Sequence, residues 1–196
     1  MSLTAPGLLS RNPWVPRWAL SVAEYHRMGE AGILTEDDRV ELIEGELIAM
    51  TPIGSGHSGA VIAMTHLLVE AVGGRAFVST QNPIRLDDHS EPQPDFAVLK
   101  PRADRYRSAT PQPEDVVLLV EIADSSLAYD RAVKRPLYAR HRIPELWIVD
   151  LAAGEVEVCR APGKEDYGEV VRVGRDGMLG IAALPGVTIP AAAVLG

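Results

Sequence analysis

Apolar residues in this chain fall into short dense runs divided by turn-forming residues, and the runs carry two different periods. Residues 1–17, with prolines at 6, 13 and 16, read as an extended arm, so the organisation expected is an arm over 1–18 and one domain over 19–196. Ser21-Val22-Ala23-Glu24 has capping-box spacing and opens a short helix ending near Gly29 or Gly32. Val40–Ile43, Glu44-Gly45 and Glu46–Met50 read as strand, tight turn, strand, and residues 51–56 as a loop. Helical spacing runs from Ser58 to Val72 and stops at Gly73-Gly74.

Strands are expected at Ala76–Thr80, at Ile84–Leu86 and in Pro94-Asp95-Phe96-Ala97-Val98-Leu99. Residues 100–115, basic and proline-containing, read as a loop. Val116–Ile122 is the most hydrophobic run and reads as a strand buried on both faces. Asp124-Ser125-Ser126 resembles an N-cap cluster for a helix to about His141, kinked or shortened by Pro136. Glu145–Asp150, Glu155–Arg160 and a stretch near Val170–Val173 complete the strands. Strands outnumber helices, which sit at the edges of the strand run. An α/β or α+β sheet flanked by helices follows.

A core of this kind is within reach of 196 residues at 46% hydrophobic content. One cysteine, Cys159, excludes an intramolecular disulfide framework and fits a reducing compartment. No apolar run reaches the ~18 residues that span a bilayer. Arg11, Pro13, Trp14 and Pro16 interrupt the stretch where a secretory signal keeps its apolar core, so a cytoplasmic location is expected. The net charge of −8 argues against a broad nucleic-acid coat. The cations are clustered, however. Lys100, Arg102, Arg105 and Arg107 share one loop, and Arg131, Lys134, Arg135, Arg140 and Arg142 share one helical segment, nine of the 19 Lys and Arg. They form either solvated surfaces or phosphate contacts.

Candidate chemistry starts at Glu121, a carboxylate inside the most apolar strand. Burying it ionised costs several kcal/mol without compensation. Asp95, 26 residues earlier, opens another apolar strand, and a shared hard cation such as Mg²⁺ would explain both acids. Alternatively Asp95 is a strand-edge turn residue and Glu121 pairs with an arginine. Two residues beyond Glu121, where many nucleases keep a lysine, stands Ala123. Lys134 on the next helix is the replacement, unless it only pairs with Asp130 one turn back. Tyr138 faces the same way, either bonding near the site or packing. Glu41 sits in the outward phase of its strand, as a second ligand or a solvent-facing residue. His57 is a ligand, a phosphate contact or a local cap; Gln81 orients a water or bonds its own loop. No Gly-rich phosphate loop, HExxH or CxxC motif is present.

The stretches Arg39–Glu46, Pro94-Asp95, Val120–Asp130, Lys134–Arg140 and Ile143–Asp150 together resemble the Uma2 family, also called DUF820, over roughly residues 20–190. That resemblance implies a restriction-endonuclease-like α/β core of the PD-(D/E)xK superfamily: a mixed central sheet flanked by helices, with additional β-hairpins. It implies Asp95 and Glu121 as metal ligands, a catalytic lysine moved to the helix at Lys134, and Glu41 as an acid contributed before the core. His57 and Gln81 match positions such proteins keep near the site. Arg142 departs from the pattern, standing where a glycine usually ends the helix, so that helix end is expected to differ.

The expected activity is Mg²⁺- or Mn²⁺-dependent endonucleolytic hydrolysis of DNA. Asp95, Glu121 and the Ile122 carbonyl would hold the metal, Lys134 would assist the attacking water, and Glu41 would support it. Lys100, Arg102, Arg105, Arg107, Arg131 and Arg135 would contact phosphates. Related nucleases dimerise to engage both strands, which makes a homodimer the candidate assembly. The alternative is a catalytically inactive nuclease-fold module that binds nucleic acid or a protein partner.

Overall fold

Residues 16–35, 37–51 and 54–196 are described by the computed structural model. Most of the expected arm thus lies outside the described residues, and residues 16–20 enter no helix or strand. The described residues fall into two compact units, those up to residue 51 with 87–92 and those from residue 54 to 86 with 93–196.

The first unit holds helix α1 (Val22–Glu30) and the hairpin β1 (Val40–Ile43) and β2 (Glu46–Ala49). Both halves of the capping box form: the Ser21 side chain accepts from the Glu24 N–H, and the Glu24 side chain accepts from the Ser21 N–H. Pairing of Ile43 with Glu46 leaves Glu44-Gly45 as a two-residue turn, with φ values of 49° and 80°. Positive φ at both positions is the twist a tight hairpin needs. Gly45 also has no room for a side chain, because an added Cβ would lie 2.6 Å from Ala19 Cβ. All four β1 residues are buried, Glu41 included. Alternation suggested an outward Glu41, but it comes close enough to Tyr25 for its charge to help raise the phenol pKa, after burial and Glu91. The Tyr25 hydroxyl donates to the Val40 carbonyl at 3.1 Å.

The second unit is built on a six-stranded sheet in the order β3 (Phe77–Thr80), β4 (Phe96–Leu99), β5 (Val116–Ala123), β6 (Glu145–Asp150), β7 (Glu155–Pro162) and β8 (Tyr167–Gly174). Neighbours are antiparallel except β5 and β6, which are parallel. Parallel neighbours need a crossover, and residues 127–140 supply it. On one face, Met64, Leu68 and Val72 of helix α2 (Ser55–Val72) join Phe96, Val98, Leu118, Val120, Trp147 and Val149 in the core. The C-terminal hairpin β9 (Met178–Gly180) and β10 (Thr188–Pro190) and helix α5 (Ala191–Leu195) add Leu179, Ile189 and Val194 to it. All eight β5 residues are buried, as a double-sided strand requires.

Three segments differ from their expectations. Helix α2 starts at Ser55, which brings His57 into its first turn. Residues 84–86 form no strand: Pro83 leads in without a donor, and the Arg85 N–H bonds the Pro111 carbonyl while Ile84 and Leu86 stay buried. The crossover is not one kinked helix. It is α3 (Leu127–Tyr129), a π turn over Asp130–Lys134, and α4 (Arg135–Arg140). The Arg135 N–H reaches back five residues to the Asp130 carbonyl. This widened turn immediately precedes Pro136, which has no N–H and crowds the carbonyl four residues back. At the N-terminus, the Ser126 hydroxyl does not cap the backbone but donates to the Asp130 carboxylate at 2.6 Å.

Helix α4 ends in the geometry glycine usually supplies, contrary to the altered end expected. Arg142 has a φ of 60°, its N–H bonds the Ala139 carbonyl, and the Ile143 N–H bonds the Tyr138 carbonyl. This pair of bonds is a Schellman motif, and the arginine bears its cost. Arg142→Gly is therefore expected to stabilise the protein by about 0.5–1 kcal/mol, read as a small rise in melting temperature. A lower melting temperature would mean that the Arg142 side-chain bond to the Pro162 carbonyl outweighs the backbone strain.

Candidate active site

The β4–β5 register pairs Phe96 with Val120, and one further step puts Asp95 opposite Glu121. The two expected acids are thus brought together at the same end of adjacent strands. Asp95 Oδ2 accepts the Ile122 N–H at 2.8 Å, so the sheet's own backbone fixes this carboxylate. Its Oδ1 accepts from Gln81 Nε2 at 3.3 Å and faces His57 Nε2 at 3.0 Å. The opposite ring nitrogen, His57 Nδ1, lies 3.2 Å from the Ile122 carbonyl oxygen. An imidazolium donates to both acceptors at once. The Asp95 hydrogen bond is the main cause that holds the His57 pKa above its ordinary value, with burial opposing. Asp124 also raises it, a nearby acid that the sequence presented only as part of a helix cap. Gln81 adopts a φ of 53°, and its N–H bonds the Asp95 carbonyl at 3.0 Å. Neither His57 nor Gln81 is a mere local cap or loop contact.

Glu121 points the other way from the α2 core, toward the crossover. It is 3% exposed, and its Oε1 accepts from Lys134 Nζ at 3.1 Å and from the Tyr138 hydroxyl at 2.7 Å. Its ion-pair partner is this lysine, not the arginine considered from sequence. The π turn places Lys134 and the first turns of α4 place Tyr138, so both reach the same oxygen. Burial pushes the Glu121 carboxyl up to about 8; Lys134 opposes this, and the charges of Asp130 and Asp95 reinforce it. A carboxyl held this far up is short of positive charge.

The oxygen donors Asp95, Glu121 and the Ile122 carbonyl suit a hard divalent cation by type, and the shortage of positive charge at Glu121 suits one by electrostatics. His57 already spans two of the three, Asp95 and the Ile122 carbonyl. Among the described residues no three His, Cys, Asp or Glu side chains form a preformed metal cage. Glu41 belongs to the first unit, and Asp95 and Glu121 belong to the second.

Basic residues divide sharply by what holds them. In register across the sheet lie Glu121, Ile148, Glu157 and Arg172. Buried Glu157 binds Arg131 at 2.9 Å, Arg172 at 3.1 Å and Arg135 at 3.6 Å. Arg131 also meets Asp150 at 3.4 Å, and Arg135 meets Asp166 at 2.7 Å. Lys100 Nζ donates to the Glu114 carbonyl at 2.6 Å, and Arg102 grips Asp104 with two bonds while stacking on Tyr106 at 4.4 Å. Arg105 and Arg107 are exposed and make no ion pair among the described residues. The thiol of Cys159 is buried and pushed up to about 12, unsuited to nucleophilic attack. No helix among the described residues is long and apolar enough to cross a membrane.

Comparison with known proteins agrees with this arrangement at the level of fold. The crystal structure of "a putative nuclease belonging to DUF820" from Anabaena variabilis ATCC 29413 is similar, with a TM-score of 0.71 over 90% of this chain and 97% of that one. Sequence identity is 16%, so the likeness is one of architecture: a mixed sheet, flanking helices and added hairpins. No curated protein matches. A family model described as "Uma2: Putative restriction endonuclease" matches residues 22–192, which is most of the length, and the chain belongs to the Uma2 family.

Proposed function

We propose that the protein is a Mg²⁺- or Mn²⁺-dependent endonuclease that hydrolyses phosphodiester bonds of DNA. The contact of Lys134 Nζ with Glu121 Oε1 carries this reading, because it sets a buried ammonium against a carboxylate of the Asp95–Glu121 pair. The family's description, "Putative restriction endonuclease", supports the substrate class. Asp95, Glu121 and the Ile122 carbonyl would hold the cation, which supplies activation of a water and neutralisation of charge on the phosphoryl group. Lys134, fixed by Glu121, presents a compact positive charge for the pentacovalent transition state. Tyr138 holds Glu121 in place, while His57 and Gln81 hold Asp95. Incubation of plasmid DNA with each metal tests this: cleavage by the wild type and its loss in Asp95→Ala are expected. Equal rates in both would remove Asp95 from the chemistry.

One observation favours a second reading, an inactive relative. The His57 ring bridges Asp95 and the Ile122 carbonyl, so an imidazolium can take the place of a cation. Calorimetric titration with Mn²⁺ separates the two. On the nuclease reading, binding displaces protons held by His57 and Glu121, whose pKa values are both raised. Affinity then climbs as pH rises through neutrality to about 8, and the heat depends on the buffer's ionisation enthalpy. No heat, or heat unchanged in Asp95→Ala, favours the inactive module.

A further inference from the structure

Arg105 and Arg107 are exposed cations without an acidic partner among the described residues, on a chain whose net charge is −8. The loop that carries them is tightly held. Arg105 and Tyr106 have φ values of 53° and 60°. The Asp104 carboxylate accepts from Arg102 and from the N–H groups of Tyr106 and Ser108, and the Tyr106 hydroxyl donates to the Lys100 carbonyl at 2.7 Å. Left-handed backbone at two consecutive bulky residues costs free energy that a plain connection would avoid.

This loop forms one wall of a groove of about 970 Å³. The other wall is β3, the edge strand of the sheet, with Phe77 and Val78 beside Val69 and Val72 of α2. Thr80 and Asn82 also line the groove, and the residue between them is Gln81, which donates to Asp95. Two residues that line the groove therefore flank, along the chain, the glutamine that bonds the Asp95 carboxylate.

We infer that this groove binds one strand of a nucleic acid and leads it to the Asp95 face, with Arg105 and Arg107 on its phosphates. The inference rests on the nuclease reading of that face and adds the form of the substrate. A groove of this volume is at the upper end of small-ligand cavities, about 300–1,000 Å³, a scale that suits a few unpaired nucleotides better than a whole duplex. Cations beside an apolar floor match what an unpaired strand offers, phosphates and base faces. A peptide added to the β3 edge would gain its hydrogen bonds without either arginine.

The test is fluorescence anisotropy of a labelled oligothymidylate, with a duplex of equal length as comparison, in chelator so that no cleavage is read. The double variant Arg105→Gly, Arg107→Ala removes both charges, and glycine suits the left-handed backbone at 105. Wild-type protein is expected to bind the single strand more tightly than the duplex. The variant should lose about tenfold in affinity, with the slope of log affinity against log salt shallower by about 1.4, two contacts at about 0.7 each. Wild-type affinity in the variant, or a wild-type preference for duplex, overturns the proposal. Should the double variant fold poorly, Arg107→Glu alone reads the same outcomes. Because binding is read without turnover, an absence of cleavage by the wild type would sink the nuclease reading and leave this measurement standing.

Discussion

On the proposed reading, Lys134→Ala is expected to lower metal-dependent cleavage of plasmid DNA by about 10²–10³-fold or more, the loss typical of a donor aimed at transition-state charge. Lys134→Arg is expected not to restore the rate, because a planar guanidinium does not match a compact ammonium at a position 5% exposed. The alanine variant also leaves Glu121 without this cation. Removing one partner of a buried pair costs about 3–5 kcal/mol unless the carboxyl protonates, and Glu121 is already disposed to do so. Melting curves run beside the cleavage assay therefore separate lost chemistry from lost fold. Tyr138→Phe provides the internal comparison, since it removes one hydrogen bond to Glu121 and keeps the lysine. Wild-type cleavage by Lys134→Ala would leave its contact with Glu121 as a structural ion pair.

The second large effect is a conflict between stability and activity at Glu121. Its carboxyl has a folded-state pKa of about 8, against 4.5 for an unperturbed glutamate. Between these values the folded protein retains a proton that the unfolded chain releases. The stability from this group is thus fully present below 4.5 and is lost as pH rises through about 8. In metal-free protein, Glu121→Gln should melt like the wild type near about pH 5 and higher than it near about pH 8.5. The gain expected at the alkaline end is about 1–3 kcal/mol, a few degrees in melting temperature. The same variant is expected to lose cleavage. A variant less stable than the wild type at the alkaline end would mean that Lys134 keeps the carboxylate ionised and that burial is the lesser influence.

Much of this was legible in the residues. Glu44-Gly45 announced a two-residue hairpin, Ser21 and Glu24 announced their mutual cap, and the β5 run announced a strand covered on both faces. The pairing of Asp95 with Glu121 followed from two acids on strands too apolar to hold them separately. The rest depended on contacts across long sequence separations. Nothing local to Arg131 or Arg135 indicates that Glu157, on β7, holds both. Glu41 looked outward by alternation and is buried, because period-two reasoning fails where both faces of a strand are covered. His57 appeared as a loop residue until α2 began three residues early and carried its ring to Asp95.

The π turn at 130–134 has a consequence for how this protein can change. A π turn is an α-helical turn with one residue too many, so losing a single residue there closes it. Everything before the deletion would then rotate by about 100° relative to Tyr138. Lys134 and Tyr138 would still share one Glu121 oxygen, but Asp130, whose charge now helps to raise the Glu121 pKa, would be turned away from its present place, although no strand had been altered. One codon lost there would change the charge around Glu121 and leave both of its hydrogen-bond donors in place.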